Sequence, residues 1–206
     1  MKVLLVNGSY HEKGCTYTAL AEVEKALNAN GIETEIFQLN SINVSGCKGC
    51  WACKKAKQCV FDDGTVNDFV AKAAEFDGFV FGSPVYYASA SGTLISFMDR
   101  VFYSGGKCLA YKPAAAVVSC RRAGASTTFD VINKYFAINN MPIVSSNYWN
   151  EIHGNTAEEA AQDEEGLQTM RVLGNNMAWL IKCIQAGKEA GVEPVTEKKI
   201  WTNFIR

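Results

Sequence analysis

Four cysteines on one short segment are the most chemically specific feature of this sequence. They are Cys47, Cys50, Cys53 and Cys59, spaced C-x2-C-x2-C-x5-C. Four thiolates delivered by one loop surround a cubane iron-sulfur cluster more readily than a single tetrahedral ion. Since thiolate count alone does not select the metal, three alternatives stay open: a [4Fe-4S] cluster, zinc, or thiols without metal. Four lysines on the segment would partly neutralise thiolates: Lys48, Lys54, Lys55 and Lys57.

A second candidate site lies between the first predicted strand and the helix that follows it. Residues 8–18 read GSYHEKGCTYT. At such a junction, unpaired backbone N-H groups and the helix dipole favour an anion. The hydroxyls of Ser9, Thr16 and Thr18 add donors for one phosphate, and both the Walker lysine and the G-x-G-x-x-G spacing are missing. This pattern favours a mononucleotide. The alternative is that Thr16 only caps the helix.

Two later strand ends are expected to meet the same crevice. Pro84 fixes its own φ and lacks an N-H, so the turn after the third strand can hold a flat heterocycle, with Tyr86 or Tyr87 near the ring. The fourth strand ends at Ser119, and Arg121 follows. Small residues there permit close backbone approach, and an arginine would offset the negative charge that a reduced flavin develops.

These loops require a framework of alternating strands and helices. Strands are predicted at residues 2–7, 33–39, 77–82, 113–119 and 142–145, and segments of 3,4 apolar spacing lie between or after them. Such βα units predict a single doubly wound parallel sheet of order 2-1-3-4-5, with helices on both faces and ligands beyond the carboxyl ends of the strands. Thr156 and Glu159 form a capping box expected to begin the long final helix.

Size and composition favour one domain. The chain has 206 residues, 48% of them hydrophobic, and a net charge of -1. These values exclude a disordered polyelectrolyte and a basic nucleic-acid binder. The apolar runs are too short to span a membrane, and eight cysteines without a secretory signal favour the cytoplasm. The predicted domain covers residues 1–187, with the cysteine loop at 46–63. Residues 188–206 form a tail expected to dock through Ile200, Trp201, Phe204 and Ile205.

Taken together, the motifs resemble the NADPH-dependent FMN reductase family of flavodoxin-like proteins. The resemblance rests on residues 8–18, called the phosphate loop below, on the turn at residues 83–86, on the Phe97-Met98-Asp99-Arg100 helix and on the segment at residues 121–124. The cysteine spacing is similar to that of the iron-sulfur flavoprotein branch, which implies a [4Fe-4S] cluster on the four cysteines. Residues 148–150, with His153 and Gly154, are similar to a lid or dimer contact in a subgroup.

The resemblance also implies which residues contact a noncovalent FMN. The phosphate would lie on Ser9, Thr16, Tyr17 and Thr18. The isoalloxazine would lie along Pro84, Val85, Tyr86 and Tyr87, and its pyrimidine side would be bordered by Ser119, Arg121, Arg122 and Gly124. Cys15 belongs to the same set, but many members carry Asn there, so an amide contact to the phosphate is not expected.

The function implied is that of an oxidoreductase. NADH or NADPH would pass hydride to flavin N5, and the flavin would then reduce a quinone, a nitro or azo compound, free flavin or a similar acceptor, with no catalytic acid or base beyond the flavin. The alternative is an electron carrier with FMN and a [4Fe-4S] cluster that serves a protein partner. A third class is a thiol or zinc sensor. A homodimer or higher homo-oligomer is expected, without nucleic-acid or membrane partners.

Overall fold

The computed structural model describes residues 1–39, 43–61, 64–202 and 204. Strands and helices alternate along the chain in this order: β1 (Lys2–Asn7), α1 (Cys15–Ala29), β2 (Glu33–Gln38), α2 (Cys53–Ala56), α3 (Val66–Ala73), β3 (Gly78–Tyr86), β4 (Ser89–Ala90), α4 (Gly92–Leu109), β5 (Ala114–Cys120), α5 (Ala125–Ile138), β6 (Glu151–His153), α6 (Ala157–Ala160) and α7 (Glu164–Glu189).

The central sheet has the predicted topology. Its strands lie in the order β2-β1-β3-β5-β6, and neighbouring strands are parallel. The short strand β4 pairs with β3 in an antiparallel hairpin outside this path. With β4 set aside, the five parallel strands have the order 2-1-3-4-5, which confirms the prediction. This order reverses between β1 and β3, where doubly wound sheets open a crevice for ligands.

Helices cover both faces of the sheet, as predicted. Buried side chains of α3, α4 and α5, including Phe69, Phe97 and Phe136, form the core on one face. Those of α1 and α7 form the core on the other face. Gly174 lets α7 approach α1 closely, because a Cβ there would lie 2.8 Å from the carbonyl oxygen of Val23. All seven residues of β5 are buried, which explains its apolar run from Ala114 to Val118.

Two details of the carboxyl half differ from prediction. The fifth strand is Glu151–His153, and the segment predicted at 142–145 makes only an isolated bridge between Ala114 and Ile143. Thr156 accepts a hydrogen bond from Glu159 N, but this cap begins the short α6, whereas the long helix α7 begins after Asp163. Strands and helices of three or four residues are too short to show a periodicity of their own.

The chain beyond α7 is exposed. Helix α7 ends at Glu189, two residues past the predicted domain boundary, and residues 190–202 all lie at the surface. Trp201 lines a groove with Trp51 and Tyr103, although 71% of its own surface is exposed. Docking of the tail stays a prediction, and Ile205 lies outside the described residues.

Within the described ranges, no helix combines the length and hydropathy needed to cross a lipid bilayer.

Candidate functional site

A cavity opens at the carboxyl ends of β1, β3 and β5. It encloses about 620 Å³, a volume typical of small-molecule sites. Eight of the predicted cofactor residues line it: Ser9, Cys15, Thr16, Pro84, Val85, Tyr86, Ser119 and Arg121. The three loops selected from the sequence therefore converge as expected. The assignment of these side chains to FMN stays a prediction.

The phosphate loop presents an uncapped helix end to this cavity. Helix α1 begins at Cys15, and its N-cap is Gly14, with no side-chain cap. The alternative that Thr16 only caps the helix is therefore wrong. The Thr16 hydroxyl is instead buried and shares a 2.8 Å hydrogen bond with the hydroxyl of Ser119. This pair joins the phosphate loop to the end of β5 at the cavity.

Polar residues that the sequence analysis did not select hold the phosphate loop in place. The buried Asn7 side chain donates to the Glu12 carbonyl and to Gln38 Oε1, and Gln38 Nε2 donates to the Ser9 carbonyl at 2.8 Å. From the other side, the Ser91 hydroxyl donates to the Gly8 carbonyl at 2.7 Å. A polar side chain ending a buried strand, such as Asn7, was the sequence feature that could have identified this role.

The turn after β3 is a hairpin. Strand β3 runs on through Pro84 to Tyr86, and the antiparallel pairing with β4 places Tyr87 and Ala88 at the tip, with φ values of 51° and 57°. Two successive positive φ values define the type I′ turn that matches strand twist. The hairpin directs Pro84, Val85 and Tyr86 toward the cavity, whereas Tyr87 projects into solvent.

The remaining predicted cofactor residues do not line the cavity. These residues are Tyr17, Thr18, Tyr87, Arg122 and Gly124. Thr18 donates back to the Gly14 carbonyl at 3.3 Å. Gly124 has a φ of 89° and supports the hairpin, because a Cβ there would lie 2.8 Å from Ala88 Cα. Its role in the structure is to permit close packing of α5 on the hairpin tip.

The wall opposite the hairpin comes from residues 154–158, which the sequence analysis did not assign to the phosphate site. The Cys15 thiol donates to the Gly154 carbonyl at 3.4 Å. Burial, followed by the negative charges of Glu159 and Glu158, raises the pKa of this thiol. Of the residues that the resemblance likens to a lid or dimer contact, Gly154 lines the cavity, whereas Tyr148 and Trp149 are about half exposed, contact each other and do not line it. Their lid role stays a prediction.

All four cysteines of the loop line one small cavity beside α4. Cys59 is buried, and the Asn67 side chain makes two hydrogen bonds of 2.9 Å with its backbone. Asn67 Oδ1 accepts from the Cys59 N-H, and Asn67 Nδ2 donates to the Cys59 carbonyl. Cys53 donates to the Tyr103 carbonyl at 3.6 Å. Cys47 and Cys50 are exposed. Two of the four sulfurs thus contact the body of the protein and two lie on the outer part of the loop.

The donor set fits a thiolate-bound cluster, but the present arrangement is closed. The cavity encloses about 20 Å³, room for roughly one water molecule. Among residues 1–39, 43–61, 64–202 and 204, no three His, Cys, Asp or Glu side chains are arranged to hold a metal ion. A cluster bound to all four sulfurs would require the outer segment, with Cys47 and Cys50, to change position.

Comparisons with known proteins agree with this architecture. The family model for NADPH-dependent FMN reductases matches residues 1–156. An iron-sulfur flavoprotein of Methanocaldococcus jannaschii is 34% identical over 197 residues, which cover 90% of this chain and all of the relative. RosB, solved with a bound 8-demethyl-8-formylriboflavin-5′-phosphate intermediate, aligns with a TM-score of 0.71 at 15% identity, covering 99% of this chain and 92% of RosB.

An archaeal flavodoxin aligns with a TM-score of 0.62 at 14% identity, covering 88% of this chain and 99% of that structure. At such identities the solved structures show the fold alone, and that fold is flavodoxin-like.

Proposed function

The chain belongs to the NADPH-dependent FMN reductase family and is an FMN-dependent oxidoreductase, and we propose that it holds two redox centres. FMN would bind in the cavity at the ends of β1, β3 and β5. A [4Fe-4S] cluster would bind to Cys47, Cys50, Cys53 and Cys59. The observation that supports this pairing is that two separate cavities, one lined by the phosphate loop and one by all four cysteines, occur in one chain.

The phosphate of FMN would lie at the uncapped start of α1. There the helix N-H groups, the Ser9 hydroxyl and the Thr16 hydroxyl converge on the cavity, and an anion is favoured by both the dipole and the donors. This end of the cavity also carries Lys13. The loop is held by Asn7 and Ser91, so these donors are already in position before a ligand binds.

The ring of FMN would lie along the hairpin. Pro84 and Val85 offer a rigid apolar edge, and Arg121 places a cation just beyond the carboxyl end of the neighbouring strand β5. Bound FMN supplies hydride and single-electron chemistry. The residues of this chain would orient the ring, anchor its phosphate and offset negative charge with Arg121. No side chain is assigned as a catalytic acid or base.

The electron donor we propose is NADH or NADPH, and the acceptor a quinone, a nitro or azo compound, a flavin or a redox protein. The family supports the nicotinamide donor, and the open side of the cavity supports access for a second planar molecule. The cluster would let the protein divide the two electrons of a hydride into single-electron steps, which suits a protein acceptor. Residence in the cytoplasm and a homodimer or higher oligomer stay predictions.

A second candidate function is that of a reductase without a cluster. Its support is that the Cys53 and Cys59 thiols donate to the carbonyls of Tyr103 and Phe61, as thiols without metal can do. In that case the four thiols would be free, and electrons would pass only between nicotinamide, FMN and a small acceptor. The two candidates share the FMN site and differ only in the cysteine loop.

Anaerobic titration tests the shared part of the proposal. Full-length protein loaded with FMN is mixed with NADPH, or with NADH, and the flavin absorbance is followed. We expect loss of the flavin band, and its return when a quinone is added. A flavin band unchanged by both nicotinamides would contradict the proposed donor while leaving the cofactor sites to be tested separately by their FMN and iron contents.

A further inference from the structure

Arg100 is a buried charged residue that the FMN site does not use. It lies on α4, and only 2% of its surface is exposed. Its guanidinium reaches both ends of the cysteine loop: Nη1 donates to the Ser45 carbonyl at 3.4 Å, and Nη2 donates to the carbonyl of Phe61. Its Nε donates to a sulfur, that of Cys59, at 3.3 Å.

This geometry is specific to an arginine. The planar guanidinium presents several donors in a fixed fork, so it can contact two backbone carbonyls and a sulfur at once. A lysine has the same charge but concentrates its donors on one atom. Of the four cysteines, Cys59 is the most buried, and its backbone is fixed independently by Asn67. The N-H to sulfur contact therefore joins two groups that have little freedom to move apart.

We propose that Arg100 tunes the cluster of the proposed function, by donating a charge-assisted hydrogen bond to the Cys59 ligand sulfur. This inference rests on the proposed [4Fe-4S] site. Reduction adds one electron and one negative charge to a cluster and its thiolates, with no covalent bond made or broken. A cationic donor at a ligand sulfur stabilises that added charge, and hydrogen bonds to the sulfurs are among the factors that set cluster potentials. Arg100 is thus a positioning residue that favours the reduced cluster.

A second consequence concerns the loop itself. Because Arg100 contacts Ser45 before the first cysteine and Phe61 after the last, it closes the base of the loop. The outer cysteines, Cys47 and Cys50, can then move to enclose a cluster while the base stays fixed. Cluster binding would not require unfolding of the segment next to α4.

Potentiometry on the reconstituted protein tests this role. The full chain is reconstituted anaerobically with iron and sulfide, and the cluster is titrated with dithionite while its optical and electron paramagnetic resonance signals are recorded. The variants are Arg100→Gln, which removes the charge, and Arg100→Lys, which keeps it. We expect the cluster midpoint to move to more negative values in both variants, and further in Arg100→Gln, while the FMN content per chain stays at the wild-type value.

Two control variants separate tuning from structural damage. Asn67→Ala loosens the Cys59 backbone without altering a charge, and Lys182→Gln removes an exposed charge from α7, on the other face of the sheet. Both should keep the wild-type midpoint. If Arg100→Gln does not fold, the test is the comparison of the cluster midpoint of Arg100→Lys with that of Asn67→Ala.

The outcomes are distinct. A cluster in all proteins with the same midpoint in the Arg100 variants would overturn the tuning role and leave the proposed function standing. A wild-type chain that takes up no iron under these conditions would overturn both. A midpoint shift of the same size in Asn67→Ala would also overturn the tuning role, since loop loosening alone would then account for it.

Discussion

The hydroxyls of Thr16 and Ser119 lie 2.8 Å apart at the base of the larger cavity. Thr16 belongs to the first turn of α1 and Ser119 to the end of β5. The contact therefore joins the start of α1 to the carboxyl end of β5. Both side chains are almost fully buried. An anion at the start of α1 would meet hydroxyls that are already oriented, which reduces the ordering cost of binding.

Removing hydroxyls from the phosphate loop should weaken FMN binding. Hydrogen bonds to charged groups contribute about 1.5 to 3 kcal/mol each, so Thr16→Val combined with Ser9→Ala should cost about 3 to 6 kcal/mol of binding free energy. Fluorescence quenching of FMN measures the affinity. Thr34→Val is the matched control, because its hydroxyl lies on β2 and bonds Glu24 and Asn28. Equal affinities in the double variant and the control would rule out this anion site.

Arg121 and Arg122 should differ in their effect on the flavin. Arg121 lines the cavity, whereas Arg122, next in the chain, does not. A cation near the flavin stabilises the reduced, negatively charged form, so Arg121→Gln should lower the FMN reduction potential more than Arg122→Gln does. Anaerobic spectroelectrochemistry measures both. A larger shift in Arg122→Gln would place the ring elsewhere.

Gly154, in the cavity wall formed by residues 154–158, should resist substitution. A Cβ at Gly154 would lie 2.5 Å from the backbone nitrogen of Ala160, so the end of α6 would have to shift. We expect Gly154→Ala to lower the free energy of unfolding in urea by about 1 to 3 kcal/mol, the usual cost of overpacking. Gly92→Ala is the control, since no atom lies within 4 Å of a Cβ there. Its stability should stay the same or rise by up to about 1 kcal/mol. Equal losses in both variants would contradict the packing argument.

Cys15 should react slowly with alkylating agents until the pH is high. Burial, together with Glu159 and Glu158, raises the pKa of its thiol above the ordinary range, and only the thiolate reacts. At pH 8 its labelling by iodoacetamide, measured by peptide mass spectrometry, should therefore lag behind that of the exposed Cys183, and the lag should shrink as the pH is raised further. Added FMN should slow Cys15 further. Faster labelling of Cys15 than of Cys183 at pH 8 would contradict this.

The strands and helices of the sheet were predictable because buried parallel strands consist of continuous apolar runs. Residues 3–6 and 114–118 are all Val, Leu or Ala, and the helices between strands keep 3,4 spacing. These patterns fix which strand ends meet, and so they brought Ser9, Pro84 and Arg121 to one cavity.

The rest depended on contacts that no local pattern contains. The hairpin tip places Tyr87 and Ala88 at positive φ, although neither residue is a glycine or an asparagine. The cavity wall at residues 154–158 follows directly after β6. This three-residue strand is stabilised by its pairing with β5 rather than by its own propensity. Arg100 meets Cys59 across 41 residues of sequence, a contact that only the packing of the loop on α4 creates.

The most direct test of two separate redox centres in one chain is the FMN and iron content of two variants made in parallel. Wild type, Cys53→Ala and the Ser9→Ala, Thr16→Val double variant are purified anaerobically with iron, sulfide and limiting FMN supplied. We predict iron and sulfide with FMN in wild type, FMN without iron in Cys53→Ala, and iron with much less FMN in the double variant. Wild-type protein that contains FMN but no iron would contradict the account.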